Sequence, residues 1–231
     1  VIDSGAELGR NLRLVRSRIA AAAGRAGRDP AEVTLVAATK GQPAAGVEAA
    51  AAAGVREFGE NYVNELAAKR EAVVAEGLRW HFIGVLQSST AHRVADLADV
   101  VHSVGSMHAA RRLASRAGHD GRTIPALAQV DFTGARNGVA PGEVPDAIGA
   151  LRGLAGIDLR GLMTLPPYDP DPEASRPFFR RLRDLRDAAA DGPDDLPELS
   201  MGMSGDYEVA VEEGATMVRI GTALFGPRPH K

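Results

Sequence analysis

Leu8, Leu12, Val15 and Ile19 recur at spacings that place them on one face of a helix, which Asp29-Pro30 ends. From Val33 a different rhythm begins, in which short apolar runs alternate with longer helical stretches. The first run, 33–38, is β-branched and nearly unbroken, as a strand buried on both faces should be. It stops at Thr39-Lys40-Gly41, and Pro43 opens an alanine-rich helix that Gly54 closes. Further strands are expected at 56–58, 80–84, 100–104, 126–130, 159–165, 198–201 and 217–220. Helices are expected through Leu66 and Val73, over 107–117 and 144–151, along the stripe Phe178, Leu182, Leu185, Ala189, and over 204–213. A proline-rich loop, 166–172, is too rigid for regular structure. About eight β-then-α units in series predict an α/β fold with a parallel sheet and outer helices. Eight close naturally into a (β/α)8 TIM barrel; an open doubly wound sheet is the alternative. No linker interrupts the series, so residues 1–231 read as a single domain.

A length of 231 residues suits a compact barrel, for which about 250 is typical. With 45% hydrophobic and 25% charged residues the composition is that of an ordinary globular protein. A net charge of −3 gives no general field for nucleic acid or an anionic membrane. Arg10, Arg13, Arg16, Arg18, Arg25 and Arg28 crowd the first helix and read as its solvated face. The absence of cysteine excludes disulfides and thiolate sites. No apolar stretch approaches the roughly 20 residues of a membrane span, and 1–28 lacks the apolar centre of a signal peptide. A cytoplasmic location is expected.

Barrel active sites lie at the carboxyl ends of the strands. That geometry selects Lys40, Asn61, the loop after Gly84, Arg136–Gly138, the 166–172 loop, Ser204 and Gly221-Thr222. Lys40 follows an apolar strand directly, where a lysine is costly to bury unless paired or deprotonated. A neutral amine there attacks aldehydes to form imines; the plainer alternative is a strand-end lysine that reaches water. Ser204 in Met201-Gly202-Met203-Ser204-Gly205 reads as the N-cap of the helix that follows, a setting that suits a phosphate. Arg219 sits inside an apolar strand and needs a partner or a ligand, with Gly221 and Thr222 just beyond it. Loops after the last two strands of barrels often bind phosphate, and both turns fall there. His81, between Trp80 and Phe82, reads as a hydrogen-bonded core histidine, and no histidine spacing suggests a metal.

These segments closely resemble the YggS/PROSC family of pyridoxal 5′-phosphate (PLP) homeostasis proteins. The stretches that carry the resemblance are 36–40, 58–63, 80–87, 161–163, 199–206 and 218–226, in family order over nearly the whole chain. The resemblance implies a barrel like the alanine racemase N-terminal domain (PLP fold type III) with PLP in its mouth. It implies Lys40 as the Schiff-base lysine, Ser204, Gly221 and Thr222 as phosphate contacts, Arg219 facing the pyridine nitrogen, and Asn61 lining the cofactor. A protein of this kind would buffer PLP, a form of vitamin B6, and deliver it to apo-PLP enzymes as a monomer, or as a weak dimer. The rival implication is a small-barrel PLP-dependent amino-acid racemase. The end of the chain at Lys231 leaves no second domain to supply its other acid/base group, so the carrier is the expectation. Two departures stand out. Ser88-Ser89-Thr90 replaces a small residue, asparagine and lysine, and Arg136-Asn137-Gly138 replaces a lysine-bearing loop.

Overall fold

The computed structural model describes residues 4–192 and 194–227; the chain end at Lys231 lies outside them. Eight parallel strands close in sequence order. They are β1 (Thr34–Ala38), β2 (Glu57–Glu60), β3 (Arg79–Phe82), β4 (Val100–Val104), β5 (Ile124–Val130), β6 (Ile157–Thr164), β7 (Glu198–Met203) and β8 (Met217–Ile220). The barrel is sealed where β8 pairs with β1, with Leu35 opposite Val218 and Val36 opposite Arg219. Around it run α1 (Ser4–Arg25), α2 (Ala44–Ala52), α3 (Val63–Ala72), α4 (Ala91–Leu97), α5 (Met107–His119), α6 (Val144–Arg152), α7 (Arg176–Ala189), α8 (Tyr207–Glu212) and α9 (Thr222–Phe225). The closed sheet answers the choice between barrel and open sheet in favour of the (β/α)8 barrel.

The periodicity of the sequence explains most of this. Leu8, Leu12, Val15 and Ile19 are all buried, and α1 lays that face over α2, α8 and α9, across the β8–β1 seam. The main core lies between sheet and helices, where Phe58, Leu66, Phe82, Leu113, Phe179 and Leu182 are fully buried. A second, small cluster of Val100, Leu127 and Met163 is separate from it. Two glycines are fixed by close backbone approach. A Cβ on Gly161 would meet Glu198 O at 1.8 Å, and one on Gly84 would meet Asn61 O at 1.9 Å.

Three expectations need correction, and one helix was not foreseen. Strand β2 runs on to Glu60, because Lys69 on α3 neutralises that carboxylate inside the fold. Strand β3 ends at Phe82, two residues before Gly84. The short helix α4 was not legible, since its seven residues offer only Ala91, Val94 and Ala95 as a buried face. Ser204 does not cap the helix that follows, which starts only at Tyr207. The turn before it is built by Asp206 instead, whose carboxylate accepts from Met203 N at 2.7 Å and Ser175 Oγ at 2.8 Å. Among the described residues no helix is long and apolar enough to cross a membrane.

Helices α7 and α8 are joined by one buried carboxylate. Glu213 accepts from Arg176 at 2.9 Å, Arg180 at 3.0 Å and Arg183 at 3.2 Å. Burial alone would raise its pKa, but the bonds from Arg180 and Arg176 and the nearby positive charges hold it below the usual carboxylate range. A depressed carboxylate contributes stability that is present above its ordinary pKa and lost as pH falls through the folded value. Glu213→Gln is therefore expected to cost about 2–3 kcal/mol at neutral pH. In urea titrations the difference from wild type should shrink as pH falls below the ordinary carboxylate range and Glu213 takes up its proton; a pH-independent difference would contradict the linkage.

Candidate functional site

A cavity of about 590 Å³ opens at the carboxyl ends of the strands. That is within the range of small-molecule sites. Lys40, Asn61, Ser204, Arg219, Gly221 and Thr222 all line it, so these six residues converge on one space, while the loop after Gly84 and residues 137–138 do not reach it. Ala38, Ile83 and Leu165 supply apolar wall, and Arg136 and Tyr168 stand at the same cavity.

Lys40 leaves β1 on a turn pinned from several sides. Thr39 N donates to Gly59 O at 2.9 Å, and Gln42 N donates to Thr39 O at 2.8 Å. Lys69 Nζ also donates to Thr39 O, at 2.6 Å, and Glu65 accepts from Gly41 N at 2.9 Å. Thr39 Oγ1 donates to Glu60 at 2.5 Å, so the buried Glu60–Lys69 pair grips both ends of the residue before Lys40. Lys40 itself is half-buried rather than enclosed, with its Nζ 5.1 Å from the centre of the Tyr62 ring. Among the described residues it has no carboxylate partner, which leaves the amine free to meet a ligand.

Asn61 follows β2 and lies against Gly84, whose missing side chain lets the two backbones touch. On the opposite side, Ser204 Oγ accepts from both Gly221 N and Ala223 N at 3.2 Å. Ser204 thus ties the turn after β7 to the first turn of α9, a partnership between residues far apart in sequence. The result is a set of amide and hydroxyl donors around Ser204, Gly221 and Thr222. An anion with several acceptor oxygens fits that chemistry.

Arg219 comes from the inside of β8 and is only 4% exposed. Its Nη2 donates to Thr164 O at 2.9 Å and its Nη1 to Ser200 Oγ. Burial lowers its pKa to about 10, so the guanidinium stays charged at neutral pH. A guanidinium has five donors and no acceptor; two are spoken for, and the rest are available to the cavity.

Sequence reasoning missed Ser200, His102 and Glu57. His81 is the buried, hydrogen-bonded histidine it was expected to be, but its partners were not foreseen. His81 Nδ1 lies 2.7 Å from His102 Nε2 and His81 Nε2 lies 2.5 Å from Glu57. His102 Nδ1 reaches Ser200 Oγ at 2.8 Å. A signal existed, since Glu57, His81, His102, Ser200 and Arg219 are polar residues within short apolar strands.

Fold and site together define a closed parallel barrel whose mouth joins one free amine to a buried guanidinium and a cluster of anion donors. The family model for the alanine racemase N-terminal domain matches residues 10–229. A pyridoxal phosphate homeostasis protein of Pseudomonas aeruginosa is 42% identical over 222 residues, covering 95% of each chain. PipY of Synechococcus elongatus PCC7942, solved with PLP bound, matches at a TM-score of 0.84 and 35% identity, over 95% of this chain and 100% of that one. A protein of unknown function from Bifidobacterium adolescentis gives a TM-score of 0.88 at 36% identity, over 97% of both chains. The chain belongs to the pyridoxal phosphate homeostasis proteins of the alanine racemase N-terminal-domain family.

Proposed function

We propose that this chain holds PLP through Lys40 and surrenders it to apo-enzymes that require it, acting in the cytoplasm as a carrier and buffer. The observation that carries the reading is the convergence of Lys40, Arg219 and the Ser204–Gly221–Thr222 donors on a single cavity. The family, and the PLP seen in the PipY relative, support the choice of ligand.

PLP supplies an aldehyde that a primary amine captures reversibly with loss of water, and a ring that can draw electrons from an attached carbon. The chain's own residues divide the work. Lys40 Nζ is the nucleophile, kept in place by the pinned turn on either side of it. The Ser204 and Thr222 hydroxyls would offer donors to the phosphate, with Gly221 beside them in the cavity wall, and Asn61 would border the ring. Arg219 would stand as a donor toward the ring nitrogen. Because it stays charged and has no lone pair to offer, it favours the unprotonated ring. An unprotonated ring is a weak electron sink, so the site suits holding and exchange better than broad amino-acid chemistry.

The test is reductive trapping. Protein incubated with PLP and treated with borohydride should carry the label on the peptide containing Lys40. Labelling of a different lysine, or none, would overturn the reading.

A further inference from the structure

Below the cavity the barrel interior is crossed by a continuous hydrogen-bonded chain that the proposed function does not use. It runs from Arg219 on β8 to Ser200 on β7, then to His102 on β4, His81 on β3 and Glu57 on β2. Strands β7 and β4 are not neighbours in the sheet, so the Ser200–His102 link passes through the lumen. Ser200, His81 and His102 are fully buried, whereas Glu57 is 24% exposed at the start of β2, the end of the barrel opposite the cavity.

The direction of this chain follows from its first member. Arg219 can only donate, so Ser200 Oγ accepts from it. The Ser200 hydroxyl then has its own hydrogen to place, and among the described residues His102 Nδ1 is the acceptor in reach. An accepting Nδ1 puts the His102 proton on Nε2, where it is donated to His81 Nδ1. His81 then carries its proton on Nε2 and donates to the Glu57 carboxylate. Every hydrogen finds an acceptor, and the chain ends on an acceptor-only group. The opposite direction leaves the Ser200 hydroxyl hydrogen unplaced in a dry interior and requires a proton on Glu57.

The surrounding charges agree with a neutral His102. Burial holds His102 well below its usual pKa, and His81, Arg219 and Arg79 push the same way. Arg79 on β3 lies 4.0 Å from Glu57. At the same end, Asp158 and Arg160 on β6 face each other at 3.8 Å, and Glu198 on β7 accepts from Thr216. Near Arg219, Asp206 favours its charged form. Strands β1 and β5 contribute no charged residue.

We propose that Ser200, His102, His81 and Glu57 are positioning residues for Arg219. Their one-way relay couples its charge to a carboxylate at the far end of the barrel and fixes the guanidinium with its remaining donors toward the cavity. The idea rests on the proposed PLP site and extends it: cutting the chain takes away the partner that orients Ser200 toward Arg219 and loosens the group offered to the cofactor ring.

Two measurements test this. In unloaded protein labelled with 15N-histidine, NMR should show His81 and His102 each with a bare Nδ1 and a protonated Nε2. A His102 protonated on Nδ1 overturns the relay. In spectroscopic PLP titrations, Ser200→Ala, which cuts the chain, should weaken affinity about tenfold. Glu57→Leu, which takes away the acceptor at the partly exposed end, should weaken it in the same direction. In both variants the trapped label should remain on Lys40. Unchanged affinity in both Ser200→Ala and Glu57→Leu sinks the proposal. Should the wild type take up no PLP, the functional reading fails, and the tautomers read in the unloaded protein still decide the direction of the relay.

Discussion

Lys40→Ala is expected to weaken PLP binding by about a hundredfold or more, roughly 2.8 kcal/mol at 1.4 kcal/mol per decade. It should also abolish borohydride-trapped label. The covalent link is the strongest restraint the site can offer; without it only the donors around Ser204 and Gly221 and the Arg219 guanidinium hold the ligand. Those contacts remain in the variant, so residual reversible binding of PLP, competed by inorganic phosphate, is part of the expectation. The fold should be nearly untouched. Lys40 is half-buried, its Nζ lies over the Tyr62 ring, and among the described residues its side chain makes no hydrogen bond or ion pair. Stability by urea denaturation should stay within about 0.5 kcal/mol of wild type. Retention of PLP at wild-type affinity with an intact fold would remove Lys40 from the site.

That residue was readable from sequence because parallel strands in a barrel are covered on both faces. Such strands appear as continuous apolar runs whatever their partners. The run ending at Ala38 therefore marked the strand, and the strand end marked the mouth. Arg219 was readable for the converse reason, as a charge inside an apolar run that had to find something. What remained hidden was partnership. Ser200 and His102 are 98 residues apart and bond across the lumen. Alternation along a strand tells which side chains point inward but not which of them meet. Ser204 shows the same limit: its Ser-Gly-Asp setting reads locally as a helix cap, yet its hydroxyl serves amides at residues 221 and 223. Glu60 misled for a related reason. A glutamate at the end of a short run looks like the start of a loop unless Lys69, nine residues on, is known to cover it.

Lys69→Met is expected to be the most destabilising single change near the site. Glu60 is fully buried, one of its carboxylate oxygens has no hydrogen-bond partner, and burial pushes its pKa up against the pull of Lys69 and Thr39. Removing the ammonium leaves that charge uncompensated and takes the Nζ donor from Thr39 O. Breaking one side of a buried pair costs about 3–5 kcal/mol. The pH dependence has a definite sign. In the variant the folded Glu60 binds its proton more tightly than the unfolded one, so folded stability rises as pH falls, and the deficit against wild type narrows from neutral pH toward about pH 5. Adding Glu60→Gln to Lys69→Met should recover part of the loss, because no buried charge is then left alone, and a double-mutant cycle measures that coupling. The single tryptophan, Trp80, is 4% exposed and reports unfolding by fluorescence. The same pair grips Thr39, so Lys69→Met should also slow trapping at Lys40 under conditions where the variant is still folded. A loss below about 1 kcal/mol, well short of the cost of an orphaned buried charge, would mean that water reaches Glu60 and that the turn bearing Lys40 is held by its backbone bonds alone.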